Sequence, residues 1–294
     1  MGARLIAVPY DSGNRNRRMG RGPLAFLDGG AARRLAPICG TVIERVVEHR
    51  EGYPMEVPMT FELQRGVAAE LSAALDAGEF PLLLAGNCHN TVGAVGGYAS
   101  RPIALAWFDA HGDLNTPETT ASGFMDGMPL AMVSGRCWRR MTATIPGFRP
   151  LPDERLALVG ARDFDPAERE LLAGTRIPLV RCEEVQRRGA ETALAAVLDS
   201  WSGSVAAVHV HVDLDVHDPR CLRANSYQPG GGLSPDQVRD CVRAIAARLP
   251  LAGGTLSAYD PATDPEGTSL EVGLELLELL ARLGCAAADG AVSR

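Results

Sequence analysis

Acidic and imidazole side chains alternate at the end of one apolar run of this chain, in the segment WFDAHGDLNTP. Asp109, His111 and Asp113 stand on alternate positions there, and alternate side chains of an extended backbone share one face. Two carboxylates and an imidazole held together repel one another or lose hydration unless a cation lies among them. The spacing therefore indicates a divalent metal site.

A second segment, VHVHVDLDVHDP, carries the same signal. Four of its polar residues occupy odd-numbered positions and would share one face of a strand: His209, His211, Asp213 and Asp215. His89 follows a third apolar run, LLLAGNCH. Each segment alone also fits a structural interpretation, because a histidine at a strand end often only makes hydrogen bonds and Asp-x-Asp often only caps a turn. Together they supply the nitrogen and oxygen ligands that suit a pair of Mn²⁺-like ions.

Strand-like apolar runs alternate with helical stretches along the chain and would position these residues. The runs are ARLIAVPY, FPLLLAG, IALAWFDA, RLALVGAR, RIPLVRC, SVAAVHVHVDLD and GGTLSAYD. Nearly continuous apolar strands are typical of a parallel sheet covered on both faces. The pattern predicts one doubly wound α/β/α domain over residues 1–294, with its site at the carboxyl edge of the sheet.

Three helices can be bounded from the sequence. Thr60 is expected to cap the helix within residues 59–78, and Ser234 to cap another that begins at Pro235. The last helix is expected to end at Gly284. Residues 112–150 show no regular pattern, and we expect a long loop there that carries part of the site.

Composition narrows the classes of protein. The 29 Lys and Arg against 36 Asp and Glu give a net charge of -7, which disfavours nucleic acid or an anionic membrane as a partner. We find no apolar run of about 18 residues and no secretory signal pattern. The 7 cysteines form no CxxC pair, which favours free thiols in a reducing cytoplasm over a disulfide framework.

Two of these strings closely resemble metal signatures of the arginase/agmatinase (ureohydrolase) superfamily: DAHGDLNTPETTASG and HVDLDVHDP. GNCH stands where that superfamily usually has Gly-Gly-Asp-His. The similarity extends to VPYDSG, to RGP, to ARDFDPAE and to the Asp-Pro at Asp260. The resemblance implies a three-layer α/β/α fold with a central parallel sheet of about eight strands, and a homo-oligomeric assembly.

The resemblance also implies two Mn²⁺ ions, which other divalent cations could replace. One ion would be held by His89, Asp109, Asp113 and Asp213. The other would be held by Asp109, His111, Asp213 and Asp215, so that Asp109 and Asp213 bridge the pair. A hydroxide bridging the ions would attack a guanidino-type carbon, with Asp113 orienting it. His211 has no fixed role in the superfamily; because it shares the ligand face, we expect it to support the ligands through hydrogen bonds.

Substrate-binding residues follow from the same resemblance. Asn115 and Ser122, with Thr120 nearby, match residues that bind an α-carboxylate. Asp165 and Glu168 match residues that meet an α-ammonium group, where opposite charge makes chemical sense. The alternative is that Asp165 only caps the helix that follows it.

Three positions depart from the superfamily pattern. Asp126 stands where arginase-like enzymes carry a His that shuttles a proton to the leaving amine, and a carboxylic acid could replace it only with a raised pKa. Ala258 stands where a Glu would grip the guanidinium, with Asp264 and Glu266 close downstream as substitutes. Cys88 replaces the Asp before the first metal-binding His; a thiol is a weaker hydrogen-bond acceptor and could also act as a soft ligand.

These departures predict a divergent ureohydrolase that cleaves a C–N bond in a small arginine-like amino acid or its N-hydroxylated form. A hydroxyarginine hydrolase branch has a GHGDFNTPETT-like string and likewise lacks the shuttle His. The alternatives are a hydrolase of agmatine-, guanidino-acid- or formimino-type substrates and a non-catalytic metal- or amino-acid-binding relative. A thiol hydrolase using Cys88 and His89 is disfavoured, because adjacent residues of an extended chain point to opposite faces.

Overall fold

The computed structural model describes residues 1–49 and 55–289, with the backbone alone for residues 286–289. Eight strands form its central sheet. In chain order they are β1 (Gly2–Val8), β2 (Val42–Val46), β3 (Glu79–Ala85), β4 (Ile103–Phe108), β5 (Leu156–Val159), β6 (Leu179–Val180), β7 (Ala207–Asp213) and β8 (Leu251–Ser257). Across the sheet the order is β2-β1-β3-β8-β7-β4-β5-β6, and every neighbouring pair is parallel.

Helices cover both faces of this sheet, which confirms the predicted three-layer α/β/α class. They are α1 (Gly22–Asp28), α2 (Ala31–Cys39), α3 (Glu56–Asp76), α4 (Asn90–Gly97), α5 (Pro129–Val133), α6 (Arg139–Thr142), α7 (Pro166–Ala173), α8 (Cys182–Arg188), α9 (Ala190–Trp201), α10 (Pro235–Arg248) and α11 (Thr268–Asp289). Two separate apolar cores result. One packs α2, α9, α10 and α11 on the sheet, and the other packs α3, α4 and α5 on its opposite face.

Strand β7 shows how the alternation of the sequence positions the site. Val208, Val210 and Val212 point into the core under α9 and α10. The intervening residues His209, His211 and Asp213 therefore point to the opposite face, as the odd-numbered spacing predicts. The parallel register sets His211 beside Trp107 of β4 and beside Thr255 of β8. The strand thus contributes one face to packing and the other to chemistry.

The seven predicted strands are all present, and one further strand of the central sheet is not apparent from the sequence. Strand β2 has the sequence VIERV, half-buried at its start and exposed from Glu44 to Val46. It lies at the edge of the sheet and pairs with β1. A strand with charged residues and one partner lacks the apolar continuity by which the central strands are recognised.

Two helix boundaries differ from expectation, whereas the third is confirmed. Helix α3 begins at Glu56, so Thr60 lies buried within it and is not its N-cap. Helix α11 continues past Gly284, whose missing side chain leaves room for the ring of Phe80; that glycine serves packing and not termination. Ser234 caps α10 through a reciprocal hydrogen-bond pair with Gln237, as predicted.

The expectation that all cysteines are free thiols is wrong for one pair. Cys39 at the end of α2 and Cys285 in α11 form a disulfide, because the two helices pack side by side and bring the Cα atoms within 5.9 Å. The structure records the other cysteines as free: Cys88, Cys137, Cys182, Cys221 and Cys241. Within residues 1–49 and 55–289 no helix has the length and apolar character to cross a membrane.

Candidate metal centre and substrate pocket

The predicted metal ligands follow the carboxyl ends of three strands from the middle of the sheet. His89 follows β3, Asp109 and His111 follow β4, and Asp213 ends β7. In the sheet, β8 lies between β3 and β7, and β7 pairs with β4. The ends of parallel strands meet at one edge, so residues far apart in sequence converge at one site.

Asp109, His111 and Asp215 form a compact group at this edge. One ligand atom of each lies within 4.8 Å of the other two. Nδ1 of His111 lies 3.3 Å from Oδ1 of Asp109 and 3.3 Å from Oδ2 of Asp215. Both carboxylates are buried, whereas the imidazole is partly exposed to the pocket. The arrangement is that of three ligands around a cation that faces the pocket.

Electrostatics at this edge favours a bound cation. Burial, reinforced by neighbouring carboxylates, raises the pKa of Asp109, Asp113 and Asp213. Burial acts to lower the pKa of His111, but the charges of Asp215 and Asp109 outweigh it and raise that pKa far above its usual value. Several carboxylates compete here for the positive charge of one imidazole. A divalent cation would supply the missing charge and keep all of them ionised.

His89 and Asp113 carry buried polar atoms that have no partner within the described part of the chain. Both ring nitrogens of His89 and Oδ2 of Asp113 are in this condition. Burial lowers the pKa of His89 to about 3, so its imidazole is neutral and its lone pair is available. Unpaired buried polar atoms are costly, and those beside a carboxylate cluster are explained by a metal. These atoms leave His89 and Asp113 available to bind a divalent cation, although neither residue belongs to the compact ligand groups found among the described residues.

The backbone at Asp113 is strained and held in place. Its φ of 55° lies in the left-handed region that residues with a Cβ rarely adopt. Its carbonyl accepts hydrogen bonds from the amides of Leu130 and Ala131 at the start of α5, at 2.9 and 3.1 Å. Strain of this kind costs on the order of 1–3 kcal/mol and persists where the surroundings fix it, typically at functional sites.

A cavity of about 180 Å³ opens above the metal edge. It is lined by four of the predicted ligands and by all five predicted substrate-binding residues: His111, Asp113, Asp213, Asp215, Asn115, Thr120, Ser122, Asp165 and Glu168. Cys88 and Asp126 line it as well. The structure thus brings the two halves of the predicted site, metal ligands and amino-acid contacts, onto one pocket.

The contacts for an α-ammonium group are already engaged with one another. Nδ2 of Asn115 donates to Oδ2 of Asp165 at 2.8 Å. The carboxylate of Glu168 accepts from the amides of Leu114 and Asp165, at 2.8 and 2.9 Å. Asp165 is also the N-cap of α7, in a capping box with Glu168. The structural and the binding interpretations of Asp165 are therefore compatible, because the cap holds both carboxylates at the rim.

Asp126 is buried on the pocket wall and bonded through both oxygens. It accepts from Nδ2 of Asn87 at 2.7 Å and from the amide of His89 at 3.0 Å. Burial raises its pKa to about 8, although these two hydrogen bonds act against the rise. A carboxyl group with this pKa can hold a proton near neutral pH, as a replacement for the shuttle His requires. Its hydrogen bonds also fix the turn that presents His89.

Ala258 leaves the reacting end of the pocket without the guanidinium-binding carboxylate. It lies on the pocket wall at a φ of 61°, in the left-handed region. Asp264 accepts from the Tyr259 hydroxyl and from the amide of Leu270, each at 3.0 Å, so it is committed to the start of α11. With Glu266 it borders a different surface depression. The two downstream acids therefore do not replace the missing Glu.

Cys88 and His211 lie directly behind the ligands. Sγ of Cys88 donates to Oδ2 of Asp213 at 2.9 Å and lies 3.1 Å from Oγ of Ser257. Nδ1 of His211 lies 2.8 Å from Oγ1 of Thr91. Burial raises the pKa of the Cys88 thiol and lowers that of His211. Cys88 thus supports a predicted ligand by a hydrogen bond, as a donor and not as an acceptor.

Several pocket residues escaped the sequence analysis. They are Met19, Phe124, Asp163, Asn225 and Tyr227. Phe124 and Tyr227 stack at a ring separation of 5.5 Å and join two loops at the mouth. Nothing in single-sequence patterns marks a loop aromatic that meets its partner across about 100 residues, so only the fold reveals this pair.

Comparisons with known proteins show the family of the chain. The sequence profile of the arginase family matches residues 2–281. The arginase of Brevibacillus brevis is 28% identical over 287 residues, covering 93% of this chain and 95% of the relative. The arginase of Bacillus caldovelox is 27% identical over 286 residues, with 93% and 95% covered. The crystal structure of Bacillus subtilis arginase superposes with a TM-score of 0.87 at 25% identity, covering 96% of this chain and 98% of that one. The chain belongs to the arginase family, within the ureohydrolases that hydrolyse C–N bonds of linear amidines.

Proposed function

We propose that this protein hydrolyses the bond between the guanidino carbon and the side-chain nitrogen of an arginine-like amino acid, either unmodified or hydroxylated at its far nitrogen. The products would be ornithine with urea or hydroxyurea, or analogues of these. One observation carries the proposal: four of the predicted metal ligands and the predicted α-amino-acid contacts line the same cavity, of about 180 Å³. Relatives at 27% and 28% identity are named arginase, which agrees with this substrate class.

Two Mn²⁺ ions, if bound by the ligand set named above, would lower the pKa of a water molecule and polarise the scissile carbon. The residues of the chain then have distinct tasks. Asp113 would orient the attacking water through its unpaired Oδ2. Asn115 and Ser122 would hold the α-carboxylate, and Asp165 with Glu168 the α-ammonium group. The substrate would lie with its guanidino end towards the carboxylates of the predicted metal ligands.

The reacting end of the pocket favours a substrate whose guanidino group needs no carboxylate partner. Asp126 is engaged by Asn87 and His89 and can carry a proton, but no imidazole stands at its position. Ala258 offers no carboxylate for a guanidinium cation. The same side-chain amine leaves from arginine and from N-hydroxyarginine, so hydroxylation changes the guanidino group and not the leaving group. The electron-withdrawing oxygen makes an N-hydroxyguanidine less basic than a guanidine, so it depends less on a carboxylate partner. The N-hydroxylated substrate is therefore our first candidate.

The experiment is a substrate panel on the Mn²⁺-loaded protein. Arginine, N-hydroxyarginine, agmatine, a guanidino acid and a formimino amino acid are incubated in parallel, and urea, hydroxyurea, ammonia, formamide and ornithine are measured. The proposal predicts the highest kcat/KM for the two α-amino acids, with N-hydroxyarginine ahead of arginine. Preference for agmatine or a guanidino acid would contradict it, since those lack one of the two α-groups.

A non-catalytic role is the second candidate, favoured by the absence of both the shuttle His and the Glu at Ala258. Asp213→Asn serves as the control variant, because it alters a proposed bridging ligand. Turnover by the wild-type protein that Asp213→Asn abolishes would support hydrolysis. Binding of ornithine by the metal-loaded protein, with no product from any member of the panel, would instead support a binding protein.

A further inference from the structure

We propose that Cys88, His211 and Asp109 form an additional site for a thiophilic divalent cation of the Zn²⁺ or Co²⁺ class, on the inner side of the candidate metal centre. Cys88 Sγ, one imidazole nitrogen of His211 and one carboxylate oxygen of Asp109 lie within 4.8 Å of one another. All three residues are at least 98% buried. This group is distinct from Asp109, His111 and Asp215, with which it shares one carboxylate.

The spacing suits a small cation. A point among three atoms that are at most 4.8 Å apart lies no more than about 2.8 Å from each of them. Tetrahedral zinc binds sulfur at about 2.3 Å and nitrogen or oxygen at about 2.0–2.2 Å, so shifts of roughly half an ångström close the site. Oδ2 of Asp213 accepts a hydrogen bond from the sulfur at 2.9 Å, although Asp213 is not a member of the three-residue group. Side-chain adjustments of this size need no movement of the strands.

The hydrogen-bond partners around His211 are compatible with the tautomer that a metal needs. The hydroxyl of Thr91 donates to Oγ1 of Thr255 at 3.3 Å, so its proton is used. Nδ1 of His211 lies 2.8 Å from the same Thr91 oxygen and would be the donor in that contact when Nε2 binds a metal. Nε2 is then left unprotonated and directs its lone pair towards Ser257, whose Oγ lies at 3.4 Å. A metal-binding histidine typically has its other ring nitrogen anchored in this way.

The indole of Trp107 orients two of the ligands. It stacks on the His211 ring at 3.6 Å with an interplanar angle of 16°. Its Nε1 donates to Oδ2 of Asp109 at 3.1 Å. The sulfur is what separates this site from its neighbour, because a thiolate prefers Zn²⁺ or Co²⁺ whereas carboxylates suit Mn²⁺. The chain would thus have one site that prefers Zn²⁺ or Co²⁺ and one that prefers Mn²⁺, and the two would share Asp109.

The test uses the metal-free full-length protein and Co²⁺ alone as the probe. Thiolate ligation gives an intense sulfur-to-cobalt charge-transfer band in the near ultraviolet, whereas nitrogen and oxygen ligands give only weak visible bands. We expect the band in the wild-type protein and its loss in Cys88→Ser. Cys137→Ser is the matched control, since Cys137 is also free and buried but borders a different depression. It should retain the band.

A second pair of variants tests the tautomer without touching any ligand. Thr91→Val removes the acceptor of the Nδ1 proton and should weaken Co²⁺ binding, read from the same band, by about 10- to 100-fold. Thr91→Ser keeps the hydroxyl and should retain wild-type affinity. Cobalt binding with no thiolate band in the wild-type protein would overturn the proposal, as would an unchanged band in Cys88→Ser or unchanged affinity in Thr91→Val. None of these cobalt-binding results tests Mn²⁺-dependent hydrolysis, which the substrate panel tests separately.

Discussion

The indole nitrogen of Trp107 donates a hydrogen bond to Oδ2 of Asp109, and the amide of His111 donates to Oδ1 of the same carboxylate at 2.7 Å. Both oxygens of the proposed bridging ligand are therefore oriented by residues two positions away along the chain. Such contacts fix the direction in which a carboxylate presents its remaining lone pairs.

Trp107→Phe should lower Mn²⁺ affinity by about 10- to 100-fold, because Asp109 loses the donor that orients it. Isothermal titration of the metal-free protein measures the effect. Trp201→Phe is the control, since Trp201 is equally buried and donates to the carbonyl of Glu154, away from the site. Equal losses in the two variants would mean that the effect is one of stability.

Asp109→Asn should remove at least one metal ion per chain and reduce kcat/KM by more than about 100-fold, a loss beyond that of an orienting residue. The reason is that one carboxylate is asked to serve both ions. Elemental analysis after gel filtration gives the stoichiometry. Asp240→Asn, at an exposed position on α10, is the control. Full metal content in Asp109→Asn would refute the bridging assignment.

Asp126→His should raise kcat for unmodified arginine if proton delivery to the leaving amine limits turnover. Steady-state kinetics on arginine and N-hydroxyarginine give the comparison, and both substrates should gain because the same side-chain amine leaves from each. The imidazole must also keep an acceptor towards the amide of His89, so metal content is measured in parallel. Full metal content without a gain would direct attention to Ala258.

We expect His209 to make the free energy of unfolding decrease at acidic pH. Its imidazole is fully buried between Tyr98 and Thr255, and burial lowers its pKa from 6.5 to about 3. The unfolded chain therefore takes up a proton below pH 6.5 that the folded chain refuses, so stability is complete above pH 6.5 and is lost as the pH falls towards 3. The loss is about 1.4 kcal/mol per pH unit.

Urea unfolding of the metal-free protein at several pH values between 6.5 and 4.5 measures this dependence. His209→Gln cannot titrate, so its free energy of unfolding should depend on pH less steeply than that of the wild-type protein, by about one proton. If the free energy of unfolding depended equally on pH in the wild-type protein and in His209→Gln, His209 would not be the group responsible.

Gly284→Ala should destabilise the protein by about 1–3 kcal/mol, because the added methyl group would overlap the ring of Phe80 in a packed core. Gly174→Ala, at the end of α7, is the control, since a methyl group there meets only ordinary contacts at 3.5 Å or more. Urea unfolding at pH 7 compares the two. A neutral Gly284→Ala would mean that α11 can shift away from the sheet.

The central strands and the edge at which the site lies could be predicted from the sequence, because apolar runs and odd-numbered spacing are local signals. Strand β2 could not, since an edge strand with Glu44 and Arg45 looks like a loop. Gly284 was misassigned because a glycine that makes room for a ring and one that ends a helix look alike. The disulfide depends on how α2 meets α11, which no spacing of cysteines encodes.

The site residues likewise include some that the sequence predicts and some that only the fold reveals. Those on strand ends, such as Asp109 and Asp213, are visible as breaks in apolar runs. Tyr227 and Asn225 enter from a loop whose path depends on the whole fold. The division of the chain into one domain over residues 1–294 and its assembly into a homo-oligomer stay predictions.

Strand β7 alternates valine with His209, His211 and Asp213, so a single-residue insertion or deletion within it would exchange its two faces. The valines would then face the pocket, and the polar side chains would be buried in the apolar core under α9 and α10. This strand should therefore tolerate substitutions better than insertions or deletions. A deletion scan of residues 207–213 should find the protein intolerant at every position, with metal uptake and folding lost together.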